Sequence, residues 1–288
     1  MNAIGIFMNC DKRNSVMIGK KIAARLAEKG IKPLMLSGQV QEAGEIPEVI
    51  SVTKDAFYEQ PDCIVVLGGD GTLLGVARQA ASTGIPICGI NLGKLGFLTS
   101  GESLSYEKVL DDLIAGNYAI EERMMLKCVI EKNGNHLSDY VALNDVVIKS
   151  NGVRMITINI DIDFQNLDRL SADGLILSTA TGSTGYSLAA GGPVVAPDAE
   201  VILINPICPH RLHDRAYVVA GKSVAMMTLL DRANDSMVSI DGQIAVPVGR
   251  NDRIIVTKSP FVTHLIRMND MHFFTRLKRK FSPEEADG

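Results

Sequence analysis

Apolar residues follow two different rhythms along the 288-residue chain. From Met1 to about Asn117, short apolar runs alternate with stretches of helical spacing. AIGIFM, KPLML, CIVVL and IPICGIN read as strands. Between them, SVMIGKKIAARLAEKG sets Ile18, Ile22 and Leu26 on one face and stops at Gly30. TLLGVARQAAS and LSYEKVLDDLIAG supply further helices. Strand alternating with helix predicts right-handed crossovers and a mainly parallel sheet. After Glu121 the rhythm shortens. MLKCVIEKNGNHLSDYVALNDVVIKS reads as two strands about an Asn-Gly turn, and RMITINIDIDF alternates. LILST, VILINPI, YVVA, VAMMTLL, MVSIDGQIAVPV and RIIVTKS follow, with turn residues between them. The expected fold class is an α/β N-terminal domain with a mainly parallel sheet, plus a β-rich, sandwich-like C-terminal domain. The expected boundaries are 1–120, completed by segment 265–288 through the helix-like MNDMHFFTRLKRKF, and 121–264.

Composition narrows the function classes. A hydrophobic content of 46% is that of a globular protein. The formal charge of −4, from 29 basic and 33 acidic residues, with no long basic stripe, argues against a nucleic-acid partner. The one basic cluster, LKRK near the C-terminus, reads as a solvated helix end. No apolar run reaches the length of a membrane span, and MNAIGIFMNCDKR lacks the order of a signal peptide, so no membrane partner is expected. Cys10, Cys63, Cys88, Cys128 and Cys208 are scattered and form no CxxC pair. They read as buried thiols in a reducing cytosol, which gives a cytoplasmic localisation.

Four stretches carry candidate chemistry, and a fifth a cationic group. CIVVLGGDGT runs a buried strand into a turn with Gly68, Gly69 and Gly71. Such a turn allows close approach to the backbone, and the N–H groups near Thr72 favour phosphate oxygens if a helix begins there. Asp70 within it either caps the helix or reaches a hydroxyl beside a nucleotide phosphate. Phosphoryl transfer mainly needs its acceptor oriented and given a late proton sink, and a carboxylate suits that task. No Lys follows the last glycine, which argues against a P-loop. DGLILSTATGSTGYSLAAGGPVVAP takes a strand into a loop of small hydroxyl residues with Tyr186 at its centre. Small side chains open the main chain to a ligand, and Tyr186 can stack or donate a hydrogen bond. In YVALNDVVIKS, Asn144 and Asp145 are either a bulge facing water or a clamp on a ribose diol and a base edge. In MVSIDGQIAVPV, Asp241-Gly242 signals a hairpin, with Gln243 beside it. In PHRLHDR, the group His210, Arg211, His213 and Arg215 either meets phosphates or is solvated, and its spacing does not suit a metal.

Taken in order, GGDGT, LNDVV, DGLILSTATGSTGYSLAAGGP, PICPH and SIDGQ resemble the NAD kinase family. The resemblance covers essentially the whole chain, and TGSTGYSLAAGGP is its most specific part. GGDGT alone is shared with diacylglycerol-type lipid kinases and, in similar form, with phosphofructokinases. The resemblance implies phosphorylation of the adenosine ribose 2′-hydroxyl of NAD to give NADP. The donor is ATP or polyphosphate, with Mg²⁺ or another divalent metal assisting. It implies a first domain for the phosphate donor and the catalytic turn, a second for NAD, and a site between them. Asp70 is the implied proton acceptor, with Gly68, Gly69, Gly71 and Thr72 against the ligand. Asn144, Asp145 and Asp173 hold the adenosine part. Thr184, Gly185, Tyr186, Ser187, Leu188 and Ala189 line the dinucleotide, Gln243 approaches it, and Arg154 faces the substrate. No residue is assigned as a metal ligand. A homodimer or homotetramer is implied. The sequence departs from the family pattern at Asp145, where Glu is usual, at Gly185, where Ala is usual, at Ala180, where Pro is commoner, and at Ser171, where a basic residue is common. A lipid kinase, a non-catalytic dinucleotide-binding regulator and a sugar-phosphate kinase are the rival readings of the same motifs.

Overall fold

The computed structural model describes residues 1–44, 46–93, 96–102, 106–132, 134–211, 214–230, 236–268 and 273–281. In chain order the first elements are β1 (Ala3–Met8), α1 (Arg13–Glu28), β2 (Lys32–Leu36), α2 (Ser37–Ala43), β3 (Ile50–Val52), α3 (Lys54–Glu59), β4 (Cys63–Leu67), α4 (Asp70–Ala80), β5 (Ile87–Asn91), β6 (Gly101–Glu102) and α5 (Tyr106–Ala115). Then come β7 (Ala119–Lys132), β8 (Asn135–Ala142), β9 (Asp145–Ser150), β10 (Ile156–Ile162), β11 (Gln165–Ala172), β12 (Gly174–Ser178) and α6 (Tyr186–Ala189). The last are β13 (Val201–Ile207), β14 (Tyr217–Ala220), β15 (Ala225–Leu229), β16 (Ser236–Ile240), β17 (Ile244–Val248), β18 (Arg253–Arg267) and α7 (Phe273–Phe281). The chain divides into two units: Met1–Glu122 with Thr263–Gly288, and Arg123–Val262.

In the first unit all strand pairings of the path β3-β2-β1-β4-β5 are parallel. Strand order therefore reverses between β1 and β4, the topological switch point of a doubly wound sheet, where such folds bind ligands beyond the carboxyl ends of the strands. Met8 and Leu67, the last residues of β1 and β4, are register partners there. β4 is buried throughout, as a central parallel strand covered on both faces must be. Helix α1 turns Ile18, Ile22 and Leu26 inward onto a core with Ile4, Ile6, Val65 and Ile90. The sequence pattern had not marked α2, β3 or α3. β3 has three residues, two of them exposed, too few for a periodic signal.

The second unit is antiparallel. One sheet runs β14-β13-β12-β9-β16-β17. Opposite it, β10 pairs with β11 and β15, β15 pairs with Arg253–Val256 of β18, and β7 pairs with β8. Val146, Ile148, Leu175 and Leu177 of the first sheet pack with Ile158, Ile160, Met227 and Val256 of the second set. Alternate residues of each strand fill the core between the layers, the arrangement of a sandwich. YVALNDVVIKS does not continue a single strand: β8 ends at Ala142 and β9 starts at Asp145, which joins the other sheet. Cys63, Cys88 and Cys128 are buried as expected, but Cys10 is half-buried and Cys208 is exposed; all five thiols are free, and burial pushes the Cys88 and Cys128 thiols up to about 12. No helix among the described residues is long and apolar enough to cross a membrane.

Candidate functional site

The GGDGT turn leaves β4 at the switch point. Gly68 is buried and Gly69 is the N-terminal cap position of α4, so the helix starts at Asp70, two residues earlier than Thr72. The cap residue, a glycine, has no side chain to cap this end. The Asp70 carboxylate instead turns to a segment 27 residues away: Oδ2 accepts from the Phe97 N–H at 2.9 Å and Oδ1 from the Leu98 N–H at 3.1 Å. An ionised carboxylate offers about four lone-pair positions, so each oxygen keeps one free. The half-buried side chain lies against Gly96, where an added Cβ would sit 2.1 Å from Oδ1. Only glycine lets the backbone come this close. Gly96, Phe97 and Leu98 were not singled out in the sequence. The only cue is that GKLGFL joins a glycine to an apolar pair.

In the second unit Asp241 and Gly242 turn the β16–β17 hairpin with positive φ, 49° and 66°. The turn has a second role that hairpin chemistry did not suggest. The buried Asp241 carboxylate accepts from the N–H groups of Leu143 (3.1 Å), Asn144 (2.8 Å) and Asp145 (3.1 Å). It thereby fixes the backbone from which Asn144 and Asp145 project. Asn144 Oδ1 is buried without a partner among the described residues, as is Ser187 Oγ, and such atoms call for a ligand group or water. Asp145 is 5% exposed. Burial first, and the charge of Asp241 second, push its carboxyl up to about 7.

That raised value links stability to pH. Below the ordinary carboxylate value of 3.8, folded and unfolded chains both hold the Asp145 proton. From there up to about 7 only the folded chain keeps it, so stability falls as pH rises, by at most roughly 1.4 kcal/mol per unit. Asp145→Asn is expected to flatten the slope in denaturant titrations at pH values between about 5 and 7. An unchanged slope would assign the pH dependence to other groups.

Beyond β12 the chain does not form the open loop that its glycines suggest. Thr181–Thr184 make a 3₁₀ turn and α6 follows directly. Its hydroxyls stitch it to the sheet: Thr179 Oγ1 donates to Leu143 O at 2.7 Å and Ser178 Oγ to Asn144 O at 3.1 Å. Gly182 passes so near Asn144 that a Cβ would lie 2.2 Å from its carbonyl oxygen. Asn144 Nδ2 is 3.6 Å from where a Cβ on Gly185 would be. Asn144, Asp145, Gln243 and the 3₁₀ turn with Thr184 and Gly185 thus gather at one end of the β9–β12 pair, where Asp145 is opposite Ser178. At the other end Lys149 is opposite Gly174, and a pocket of about 430 Å³ is lined by Lys149, Ser150, Gly152, Val153, Asp173, Tyr186 and Ile207. Asp145 and Lys149 are four positions apart along β9, roughly 13 Å.

Some residues fall elsewhere. Arg154 is exposed beside Val153 and does not line this pocket. Ser187 is buried and Leu188 is half-buried. Ser171 lies 3.5 Å from Thr157 Oγ1 through its own hydroxyl. Arg211 pairs with Asp168 and, at 3.0 Å, with Asp214, and His213 lies outside the described residues. Pocket residues Lys149, Ser150 and Ile207 carry no signal in the sequence because they sit at ordinary strand ends, and Val153 lies in the plain connection from β9 to β10. Among the described residues no three His, Cys, Asp or Glu side chains come together as a metal site.

A doubly wound unit with an acid at its switch point, joined in one chain to a sandwich unit with a pocket and orphaned polar atoms, defines a nucleotide-handling enzyme. Comparison with known proteins gives the family. The ATP-NAD kinase N-terminal domain matches residues 4–118 and the ATP-NAD kinase C-terminal domain residues 143–268. The NAD kinase of Desulforamulus reducens is 38% identical over 97% of both chains. That of Heliobacterium modesticaldum is 39% identical over 97% of this chain and 98% of its own. An NAD kinase from Archaeoglobus fulgidus, solved in complex with ATP, covers 100% of both chains at 25% identity with a TM-score of 0.75. Yeast NADH kinase, complexed with NADH, shares the fold, with a TM-score of 0.88 at 23% identity over 100% of this chain and 89% of its own. The chain belongs to the NAD kinase family. It is a phosphotransferase with an alcohol group as acceptor.

Proposed function

We propose that this enzyme transfers the terminal phosphoryl group of ATP, or of polyphosphate, to the adenosine ribose 2′-hydroxyl of NAD, giving NADP. The first unit handles the donor and carries the acid, and the second binds NAD. Asp70 orients the 2′-hydroxyl and takes its proton as the new O–P bond forms and the bond to the leaving phosphate breaks. Asn144 and Asp145 hold the adenosine ribose and base edge. Asp173, Tyr186 and the segment Thr184–Ala189 line the dinucleotide, with Gln243 and Arg154 at its periphery. Magnesium enters on the donor's phosphates. A homo-oligomeric state belongs to the same reading, as does the cytoplasm, whose reducing conditions suit the free thiols.

The observation that supports this reading most is the Asp70 carboxylate, held at the end of β4 by two backbone N–H groups with a lone pair left on each oxygen. A dinucleotide-binding regulator would use such an acid only to hold the backbone of 97–98. The purified protein, given NAD, ATP and Mg²⁺, is expected to form NADP and ADP in equal amounts, read by an NADP-specific dehydrogenase. A parallel reaction with polyphosphate sorts the donors. NAD binding without NADP formation from either donor would overturn the assignment.

A further inference from the structure

Two buried arginines near the C-terminus converge on the segment that holds Asp70. Arg267, at the end of β18, donates through Nη1 to the carbonyl oxygens of Leu98 (2.8 Å) and Thr99 (3.1 Å) and through Nη2 to that of Phe97 (3.1 Å). Its Nε donates to Glu121 at 2.9 Å. Arg276, from α7, donates through Nη1 to Thr99 O and, at 3.4 Å, to Phe97 O. Both side chains are buried, at 7% and 5% exposure. The segment's side chain is held by the same helix: the Phe97 ring packs at 6.2 Å from Phe273, and Lys280 Nζ lies 4.2 Å over its face.

The peptide joining Phe97 to Leu98 is the centre of this arrangement. Its carbonyl accepts from both guanidinium groups, and its N–H donates to Asp70 Oδ1. Cation, peptide and carboxylate thus form one hydrogen-bonded chain. Charge-assisted bonds to the carbonyl are stronger than neutral ones, and each polarises the next, so the N–H becomes a better donor to the acid. The burial of two guanidinium groups against three carbonyls is hard to account for as stability alone, since buried charge is generally costly.

We propose that Arg276 and Arg267 are positioning residues for the phosphoryl transfer: they clamp the carbonyls of 97–99 so that the N–H groups of Phe97 and Leu98 hold Asp70 in its reactive orientation. The C-terminal helix α7 thereby acts as a latch on the acid. This rests on the role proposed above for Asp70. In this proposal the two arginines act through the backbone of 97–99.

The test is a double-mutant cycle on the full chain. Arg276→Met is expected to lower kcat on the order of 10²-fold, the scale of a misplacement of about 1 Å, with KM for NAD within about threefold. Arg276→Lys, which keeps the charge but reaches fewer carbonyls, is expected to recover about tenfold of that and keeps the test available if the Met variant does not fold. Each change is repeated in an Asp70→Asn background under single-turnover conditions at high enzyme concentration, where a residual rate is readable. The proposal expects the Arg276 changes to have little further effect there. The same fold-loss in both backgrounds, or unchanged kcat in the parent, overturns the clamp while leaving the role of Asp70 standing. Full turnover by Asp70→Asn alone overturns the role of the acid and the clamp with it.

Discussion

Asp70→Asn is expected to lower kcat for NAD phosphorylation by roughly 10²–10⁴-fold, the range that a positioned general base contributes, while the dissociation constant for NAD changes little. The amide has the size of the acid but lacks its charge, so it has no capacity as a proton sink. It also cannot repeat both hydrogen bonds. One of its terminal atoms is an NH₂ donor and would face the N–H of Phe97 or Leu98, which now meet oxygen at 2.9 and 3.1 Å. A second consequence is therefore a loss of stability on the order of 1–3 kcal/mol from one unsatisfied N–H. Initial rates, NAD titration calorimetry and a denaturant melt on one preparation separate these effects. A variant that turns over at the parent rate removes Asp70 from the reaction. One that loses NAD affinity in step with rate makes it a binding group instead.

Asp241→Ala is expected to cause a large loss of stability in the second unit. Its carboxylate serves three backbone N–H groups, those of Leu143, Asn144 and Asp145. Leaving a buried donor unmet costs about 1–3 kcal/mol, so three cost roughly 3–6 kcal/mol even with some relaxation. A non-glycine residue at φ 49° adds about 1 kcal/mol more once its side chain no longer bonds locally. Set against a usual total of about 5–15 kcal/mol, the unit is left close to its threshold. Asp241→Asn should be milder, because one oxygen can still serve Asn144 and Asp145, as Oδ1 does now. It should also reduce the pH dependence of stability, since the charge that helps raise the Asp145 carboxyl is gone. Guanidinium titrations of the three proteins at two pH values check the order: parent, Asn, Ala. An Ala variant within about 1 kcal/mol of the parent would mean that water or a shifted backbone replaces the carboxylate.

Both changes concern aspartates that the sequence marks, but for different reasons. Asp70 stands out because an acid in a glycine turn is chemically unexpected. Asp241 stands out only as the first half of an Asp-Gly hairpin. That reading is correct for the turn and silent about the three N–H groups it anchors, which lie about a hundred residues earlier in the chain. The hydroxyls of STATGSTGYS suggested a ligand-facing loop. Several of them, Ser178, Thr179 and Ser183 among them, bond to the backbone and hold a 3₁₀ turn and a short helix in place. A hydroxyl reads the same in sequence whether its partner is a ligand or a carbonyl.

What the sequence by itself determined was the local and the periodic. The alternation of CIVVL and TLLGVARQA, the two-residue rhythm after Glu121 and the glycines around Asp70 each follow from the chemistry of neighbours, as does the order of motifs that marks the family. The tertiary structure alone decided what depends on distant groups meeting. It brings Phe97 and Leu98 to Asp70, sets Arg267 and Arg276 on the far side of the same peptide, and buries Asp145 beside Asp241 so that its proton is retained to about pH 7. Hydrogen bonds and desolvation act over a few ångströms of space and take no account of separation along the chain. Residues whose work is done through them leave no mark in the pattern of their neighbours.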